Sequence, residues 1–226
     1  MSDTVWFGTL IREKFLDIDI NPILKFVYEK RNELPNSNYG SSLNSWQSPD
    51  LKDNEVFEPL KHEIFKHLDE FSEVFLLKKD KDHIISNIWA NINPFGGSNM
   101  PHNHPGALFS GVFYLQCNDE SGDLCFTHPA MNQNYHFNDL TVRDFNNINS
   151  GGINLTPKVG KMILFPSYQY HYVRANMTQQ DRVTLAFNTQ YLNKDMLDKF
   201  NSLNNNMNWR SNYGRATTKK SKSNES

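Results

Sequence analysis

Apolar residues in the first eighty positions follow a helical spacing. A first helix is predicted to begin at Asn21-Pro22, an N-cap side chain followed by a proline whose missing N–H costs nothing at a helix start. It is predicted to end near Leu34-Pro35, because the residue before proline avoids the helical conformation. A second helix is predicted from apolar residues three and four positions apart, which are Phe57, Leu60, Ile64, Leu68 and Phe71.

Between these helices, residues 36–50 are polar and rich in serine. Structureless segments of this length are uncommon in compact domains and are frequently functional. Trp46 and Gln47 lie within it, so we consider the segment a candidate lid over a site. The histidines of the second helix, His62 and His67, are expected to face solvent.

From residue 84 onward, short apolar or alternating runs are separated by Gly, Pro and Asn. This spacing favours a β-sandwich or barrel. The predicted strands cover residues 84–93, 108–116, 123–128, 161–165, 171–174 and 182–191. A last short helix is predicted over residues 194–203.

These elements predict one domain over residues 1–203. Its N-terminal layer is helical, to about residue 80, and its β core covers about 84–191. Residues 204–226 are rich in Asn, Ser and Lys with few apolar groups, so a disordered, solubilising tail is expected. The fold class is therefore mainly β with helical decoration.

Composition narrows the class of protein. The formal net charge is −2 over 226 residues, so a strongly basic nucleic-acid binder is excluded on charge and nucleic acid is not an expected partner. No apolar run is long enough to cross a membrane. Two cysteines make no disulfide scaffold, which favours the reducing cytoplasm of a bacterium or of a phage host. The 29 asparagines fit an AT-rich bacterial or viral genome.

The strongest candidate chemistry lies in Pro101-His102-Asn103-His104-Pro105. Two histidines one residue apart on an extended segment project to the same side, so both imidazoles can reach one cation. A His-x-His pair alone is a weak signal. Here it precedes the clearest predicted strand, and a third histidine, His171, lies much later with Arg182 shortly after it.

In this order, the residues resemble the Fe(II)- and 2-oxoglutarate-dependent oxygenases, whose fold is a double-stranded β-helix or jelly roll. Phe165-Pro166 before the late histidine and Tyr114-Leu115 after the pair are typical of the prolyl-hydroxylase-like branch. The resemblance is closest to a little-characterised bacterial and phage group and covers about residues 45–190. Its motifs match three runs here: His102 to Pro105, Ser110 to Tyr114, and Trp46-Gln47-Ser48.

The resemblance implies that His102, His104 and His171 are the catalytic metal ligands. His104 departs from the family, which mostly has a carboxylate at this position. Three alternatives are open: His104 ligates, water replaces it, or a carboxylate comes from elsewhere. We favour ligation, because strand alternation already aims the ring correctly. A halogenase is not expected, since that chemistry needs a small residue here.

For the co-substrate, the resemblance implies that Arg182 binds the distal carboxylate of 2-oxoglutarate, as a planar guanidinium can do with two hydrogen bonds. The alternative for Arg182 is a surface ion pair with Asp181. Thr184 shares its strand face, and Tyr114 matches a family tyrosine that donates to the same carboxylate, although a core aromatic is an equal alternative. On the strand before the histidine pair, alternation is expected to place Asn87, Trp89, Asn91 and Asn93 on one face. Asn91 is the further candidate from this set, and the alternative is a plain polar outer face.

The resemblance implies a dioxygenase that uses Fe(II), 2-oxoglutarate and O₂, with ascorbate as an optional reductant, and that releases succinate and CO₂. The primary substrate is open: a prolyl or other protein residue, or a small molecule. One alternative is a cupin-like three-histidine metalloenzyme that does not use 2-oxoglutarate. Another is a non-catalytic jelly-roll binding or virion protein. A homodimer is one option for the oligomeric state.

Overall fold

A computed structural model describes residues 8–36, 40–130, 138, 140–146, 148–193, 195–196, 198–199 and 202. Helix α1 is Asn21–Glu33, helix α2 is Glu58–Val74, and a short 3-10 turn, Glu55–Phe57, precedes α2. The described residues between 195 and 202 are helical. His136 and the predicted tail, 204–226, lie outside the described residues.

Both predicted helices are present, but two details of their ends and faces were wrong. Asn21 is the first residue of α1 and does not cap it; instead, the Oδ1 atom of Asp19 accepts from the backbone N–H of Asn21 at 3.0 Å. His67 is buried rather than solvent-facing, and its carbonyl accepts from Arg12 Nη1 at 3.2 Å. His62 is exposed, as predicted.

Eleven strands form two sheets in the described part of the chain. Their bounds are β1 Arg12–Phe15, β2 Ser42–Leu43, β3 Trp46–Gln47, β4 Asp82–Asn93, β5 Ser98–His102, β6 Phe109–Gln116, β7 Leu124–Thr127, β8 Gly152–Leu155, β9 Lys161–Pro166, β10 His171–Val173 and β11 Arg182–Leu192. The major sheet has the order β1-β9-β6-β11-β4-β3, and the minor sheet has the order β2-β5-β10-β7-β8. The mainly β, jelly-roll expectation is confirmed.

Alternation along β6 explains why the major sheet is buried on both faces. Phe113 and Leu115 pack with the two helices, whereas Val112 and Tyr114 belong to the apolar cluster shared with the minor sheet. Each fully buried large side chain contributes roughly 1.5–3 kcal/mol. The helix-side cluster contains residues of α1 and α2 and of the major sheet, and none of the minor sheet.

The proposed lid is a pair of short strands. Trp46 and Gln47 form β3 and pair with Ile92 and Asn91 of β4. The indole of Trp46 is buried in the core, and its Nε1 atom donates to the carbonyl of Leu34 at 3.3 Å. Trp46 is therefore a core residue rather than part of a lid, because strand pairing that no periodicity reveals fixes it, whereas Gln47 and Ser48 of the same segment line a cavity between the sheets. The N-terminal part of the chain is accordingly mixed, because it contains β1, β2 and β3 as well as the two helices.

By its internal contacts, the chain divides into two compact units. One comprises the described residues up to Leu77 and between His83 and Gln190, and it contains every residue of the candidate site. The other comprises Lys78–Asp82 and the described residues from Tyr191 to 202; within it, the Tyr191 hydroxyl donates to the carbonyl of Lys78. None of the described helices is long and apolar enough to cross a membrane.

Candidate active site

Three histidines converge on the inner face of the minor sheet. His102 ends β5 and lies directly opposite His171 of β10 in the strand register, and His104 follows two residues after His102. The ring centroids of His102 and His171 are 4.3 Å apart, and that of His104 is 5.0 Å and 5.1 Å from them. One ligand atom from each of the three lies within 4.8 Å of the others, which suits binding of a single ion.

Backbone carbonyls orient two of these rings. His102 Nδ1 lies 2.7 Å from the carbonyl of Met100, and His171 Nδ1 lies 2.9 Å from that of Gln169. A carbonyl only accepts, so Nδ1 carries the proton and Nε2 keeps its lone pair, as in a metal-binding histidine. In the described part of the chain, the His104 side chain has no hydrogen bond, and its ring lies against Trp89 at 5.6 Å.

All three imidazoles are held in the neutral form that binds metals. Burial lowers the pKa of His171 to about 3, with a smaller effect from the neighbouring His102. Burial, and then His102, lower the pKa of His104 to about 4. Burial also lowers the pKa of His102. Protonation therefore does not compete with metal binding near neutral pH.

No carboxylate joins the three histidines in the described residues. The acidic side chain on the wall of the surrounding cavity is Asp50, and it pairs with Lys52 at 2.9 Å. This arrangement favours His104 over an acidic residue from elsewhere in the described chain as the third ligand. Three imidazoles are an accepted donor set for iron and for other first-row divalent metals.

The histidines open into a cavity of about 570 Å³ between the two sheets, and Arg182 lies on its wall. The Arg182 side chain is 1% exposed, and no acidic side chain pairs with it among the described residues. Its Nη1 and Nη2 atoms are 3.5 Å from Asn93 Oδ1 and from the Tyr114 hydroxyl, and its buried Nε atom has no partner. A buried guanidinium with an unused donor fits an anionic ligand.

The alternative of a surface ion pair with Asp181 does not describe Arg182. Asp181 instead accepts from Arg31 Nη1 at 3.0 Å and from the Tyr28 hydroxyl at 3.2 Å. These contacts tie helix α1 to the residue before Arg182. The arginine is therefore left buried and directed toward the cavity.

The other predicted co-substrate residues differ in position. Thr184 and Asn91 line the cavity and are buried, and Asn91 Oδ1 has no partner. Tyr114 is not on the cavity wall; it is buried in the inter-sheet core, with the Arg182 guanidinium 5.0 Å from its ring centroid. Burial raises the pKa of Tyr114. Tyr114 is therefore a core aromatic residue, as one alternative expected, and it also contacts the arginine that the other alternative pairs it with.

Asn93, which strand alternation places on the same face as Asn91, faces Arg182. Sequence reasoning missed two contributors. Asn188 lines the cavity, and the alternation Arg182, Thr184, Ala186, Asn188 along β11 could have identified it. Ser41 Oγ lies 3.4 Å from His102 Nε2. No sequence signal marks Ser41, because only the pairing of β2 with β5 brings it there.

The comparisons with known proteins agree with this geometry. Residues 87–188 match the family described as putative 2OG-Fe(II) oxygenase. This range contains His102, His104, His171 and Arg182. No curated relative matches the chain in sequence.

Solved structures share the fold at low identity. A prolyl-4-hydroxylase from Pseudomonas putida is 15% identical with a TM-score of 0.51, covering 81% of this chain and 92% of that chain. A prolyl hydroxylase from Trichoplax adhaerens, in complex with a hypoxia inducible factor peptide fragment, is 15% identical with a TM-score of 0.55, covering 87% and 86%. HygX from Streptomyces hygroscopicus, with nickel, 2-oxoglutarate and hygromycin B bound, is 13% identical with a TM-score of 0.52, covering 80% and 83%.

At these identities, the solved structures establish the fold alone. The family match is a match in sequence, and its one continuous segment contains the three histidines and the arginine. The segment that carries the three histidines and the arginine, residues 87–188, therefore matches the 2OG-Fe(II) oxygenases.

Proposed function

We propose that this chain hydroxylates its substrate with iron held by His102, His104 and His171 and with 2-oxoglutarate held by Arg182. One observation carries the proposal: three neutral imidazoles converge in the same cavity as a buried arginine that has no acidic partner in the described part of the chain. When bound, Fe(II) with 2-oxoglutarate and O₂ supplies the oxidation, which releases succinate and CO₂.

Arg182 supplies the permanent positive charge of the cavity. Its guanidinium can hold a carboxylate through two parallel hydrogen bonds, and its unpartnered Nε is available for one of them. Thr184 offers a hydroxyl and Asn91 an amide on the same wall. Burial of all three keeps water from competing for the same carboxylate.

His104 in place of a carboxylate changes the charge of the centre. Three neutral imidazoles leave a divalent ion with its full charge, whereas a carboxylate would remove one unit. A dianionic co-substrate is then held more strongly, while oxidation of the iron is less favoured. We therefore expect slow or partly uncoupled turnover, measurable as succinate formed per hydroxylated product.

A prolyl residue of a protein is the first substrate to test. The prolyl-hydroxylase-like motifs of the sequence support this choice, and so does the fold shared with two prolyl hydroxylases. The fold is equally shared with HygX, which was solved with hygromycin B, so a small molecule is the second choice.

The test is an anaerobic titration of the Fe(II)-reconstituted protein with 2-oxoglutarate, followed by its visible charge-transfer band. We expect a saturable band, loss of the band in Arg182→Ala, and loss of iron in His171→Ala. Arg174→Ala is the matched control, because Arg174 is an exposed arginine outside the cavity. A band that persists unchanged in Arg182→Ala would contradict the proposed co-substrate site.

The three-histidine set favours one second candidate, a metalloenzyme that does not use 2-oxoglutarate. It predicts stoichiometric iron with no band in the same titration. A non-catalytic binding protein predicts no iron at all, and the family match argues against it.

A further inference from the structure

The cavity has a closed end and an open end. Along β4, Asn93 and Asn91 are buried, whereas Trp89 and Asn87 are partly exposed. Along the neighbouring β11, Arg182 and Thr184 are buried, whereas Ala186 and Asn188 are partly exposed, which gives the same gradient.

Two contacts fix how these gradients align. Arg182 contacts Asn93 at one end, and Ser86 Oγ donates to the backbone carbonyl of Asn188 at the other, at 3.1 Å. Asn87 and Asn188 therefore share the open end, with Trp89 between them and His104. The arginine end is enclosed, so the open end is where a second ligand can approach the histidines.

Serine hydroxyls orient both asparagine side chains at the open end. Ser110 Oγ donates to Asn188 Oδ1 at 2.7 Å. Ser86 Oγ shares its single proton between Asn87 Oδ1, at 3.2 Å, and the Asn188 carbonyl. Ser110 has a single hydroxyl proton, so Ser167, 2.7 Å away, donates to Ser110. Both amide oxygens are thereby engaged as acceptors.

The consequence is that both amides present N–H donors to the cavity. Among the described residues, neither Asn87 Nδ2 nor Asn188 Nδ2 has a hydrogen-bond partner. Asp50, the acidic side chain of the wall, accepts from the Ile88 N–H at 3.0 Å and pairs with Lys52 at 2.9 Å. The open end therefore offers donors and no unpaired charge.

We propose that Asn87, Trp89 and Asn188 form the recognition subsite for the primary substrate and that this subsite binds an uncharged carbonyl group. The two amides donate to the carbonyl oxygen, and the indole packs against the adjoining apolar part. The reacting group is thereby held beside His104. This assignment deepens the proposed function and rests on it for its catalytic meaning.

The test uses two probes with one ring, N-acetylpyrrolidine and pyrrolidinium. The first carries a carbonyl acceptor and no N–H, and the second is a cation that only donates. The full chain is loaded with Zn(II) and 2-oxoglutarate, and the side-chain amide signals of Asn87 and Asn188 are followed by ¹⁵N NMR during titration. Asn188→Asp and Asn87→Asp remove the donors at nearly constant size, and Asn154→Asp, an exposed strand asparagine outside the cavity, is the charge-matched control.

We expect saturable shifts with N-acetylpyrrolidine and weaker binding of pyrrolidinium. Affinity for N-acetylpyrrolidine should fall at least about fivefold in each cavity variant and be unchanged in Asn154→Asp. Equal or tighter binding of pyrrolidinium, or no shift with either probe, would overturn the subsite.

The band from 2-oxoglutarate, measured separately with Fe(II), distinguishes the two proposals. If no band forms but N-acetylpyrrolidine still binds, the proposed use of 2-oxoglutarate is refuted and the proposed subsite is retained. A normal band with no probe binding refutes the subsite alone.

Discussion

The two polar clusters of the cavity lie on different sheets, and the sheets are built differently. Arg182 is on the major sheet, which helices and the large apolar cluster cover on one face and the minor sheet covers on the other. His102 and His171 come from the minor sheet, and His104 lies two residues beyond its strand β5; this sheet contributes no residue to the helix-side cluster. The permanently charged Arg182 thus lies in the sheet that is covered on both faces.

The difference follows from the cost of burial. An unpaired buried guanidinium cannot give up its proton, so its desolvation must be offset by surrounding packing. An imidazole avoids the same cost by staying neutral, as the lowered pKa values of His104 and His171 indicate. Burial of Arg182 therefore lowers the stability of the ligand-free chain at every pH. Burial of the histidines lowers it only at acid pH, where the unfolded chain would protonate them.

Replacing Arg182 should give the largest change. In Arg182→Met we expect affinity for 2-oxoglutarate to fall by a factor that corresponds to about 2–5 kcal/mol, because a buried charge pair is lost. Without ligand, the same variant should unfold at an equal or higher urea concentration, since an uncompensated charge is removed. Calorimetric titration and urea unfolding measure the two effects. If Arg182→Met kept its affinity for 2-oxoglutarate, Arg182 would not be the residue that binds the co-substrate.

Replacing His171 should affect iron and leave the chain folded. Dividing the about 10–16 kcal/mol of a four-ligand zinc site among its ligands gives about 3 kcal/mol each, or roughly a hundredfold in affinity. We therefore expect His171→Ala to lose stoichiometric iron, measured by metal analysis after desalting. His62→Ala, on the exposed face of α2, is the control and should bind iron normally. Equal iron in both variants would contradict the assignment.

Acid should destabilise the metal-free chain through the histidine end. The pKa of His104 is about 4 and that of His171 about 3, against 6.5 when unfolded, so the unfolded state binds more protons in between. Stability is complete above the unfolded pKa and falls as the pH drops through it toward the folded values, by about 3 kcal/mol at pH 4 for each of the two histidines. Urea unfolding at several pH values measures this loss. His104→Gln cannot titrate and should show a shallower dependence; the same slope as wild type would contradict it.

Tyr114→Phe should give the smallest effect. The Tyr114 hydroxyl contacts Arg182 at 3.5 Å, the long limit of a hydrogen bond, while the ring packing is kept by phenylalanine. We expect affinity for 2-oxoglutarate to fall by about fivefold or less and iron binding to be unchanged. A loss as large as that of the arginine variant would show that Tyr114 binds the co-substrate itself.

The sequence predicted the strands that carry the site, because their alternation is a strong signal. The runs predicted at 108–116 and 182–191 match β6 and β11 within one residue at each end. Strands β1, β2, β3, β5 and β8 were missed because each has five residues or fewer, which is too short for a periodic pattern to mark a strand. The lid at Trp46 was a false prediction for the same physical reason.

Within the candidate site, the sequence predicted best those side-chain directions that strand alternation alone determines. His102 and His104 were expected to share a side, and they do approach one ion-sized point with His171. Asn93 lies on the face predicted for its strand, but its contact with Arg182 depends on how β4 and β11 align. His67 was misassigned, because its burial depends on Arg12 of a strand far away in the chain.

The register that places His102 opposite His171 has a topological consequence. An ion held by both rings is a reversible cross-link between distant points of the chain, closing a loop that includes β6, β7, β8 and β9. Closing a long loop in the unfolded state costs chain entropy, so the cross-link stabilises the fold in the manner of a disulfide. The free energy of unfolding of the minor sheet would then rise with the free iron concentration, so that the stability of the fold depends on the supply of the metal.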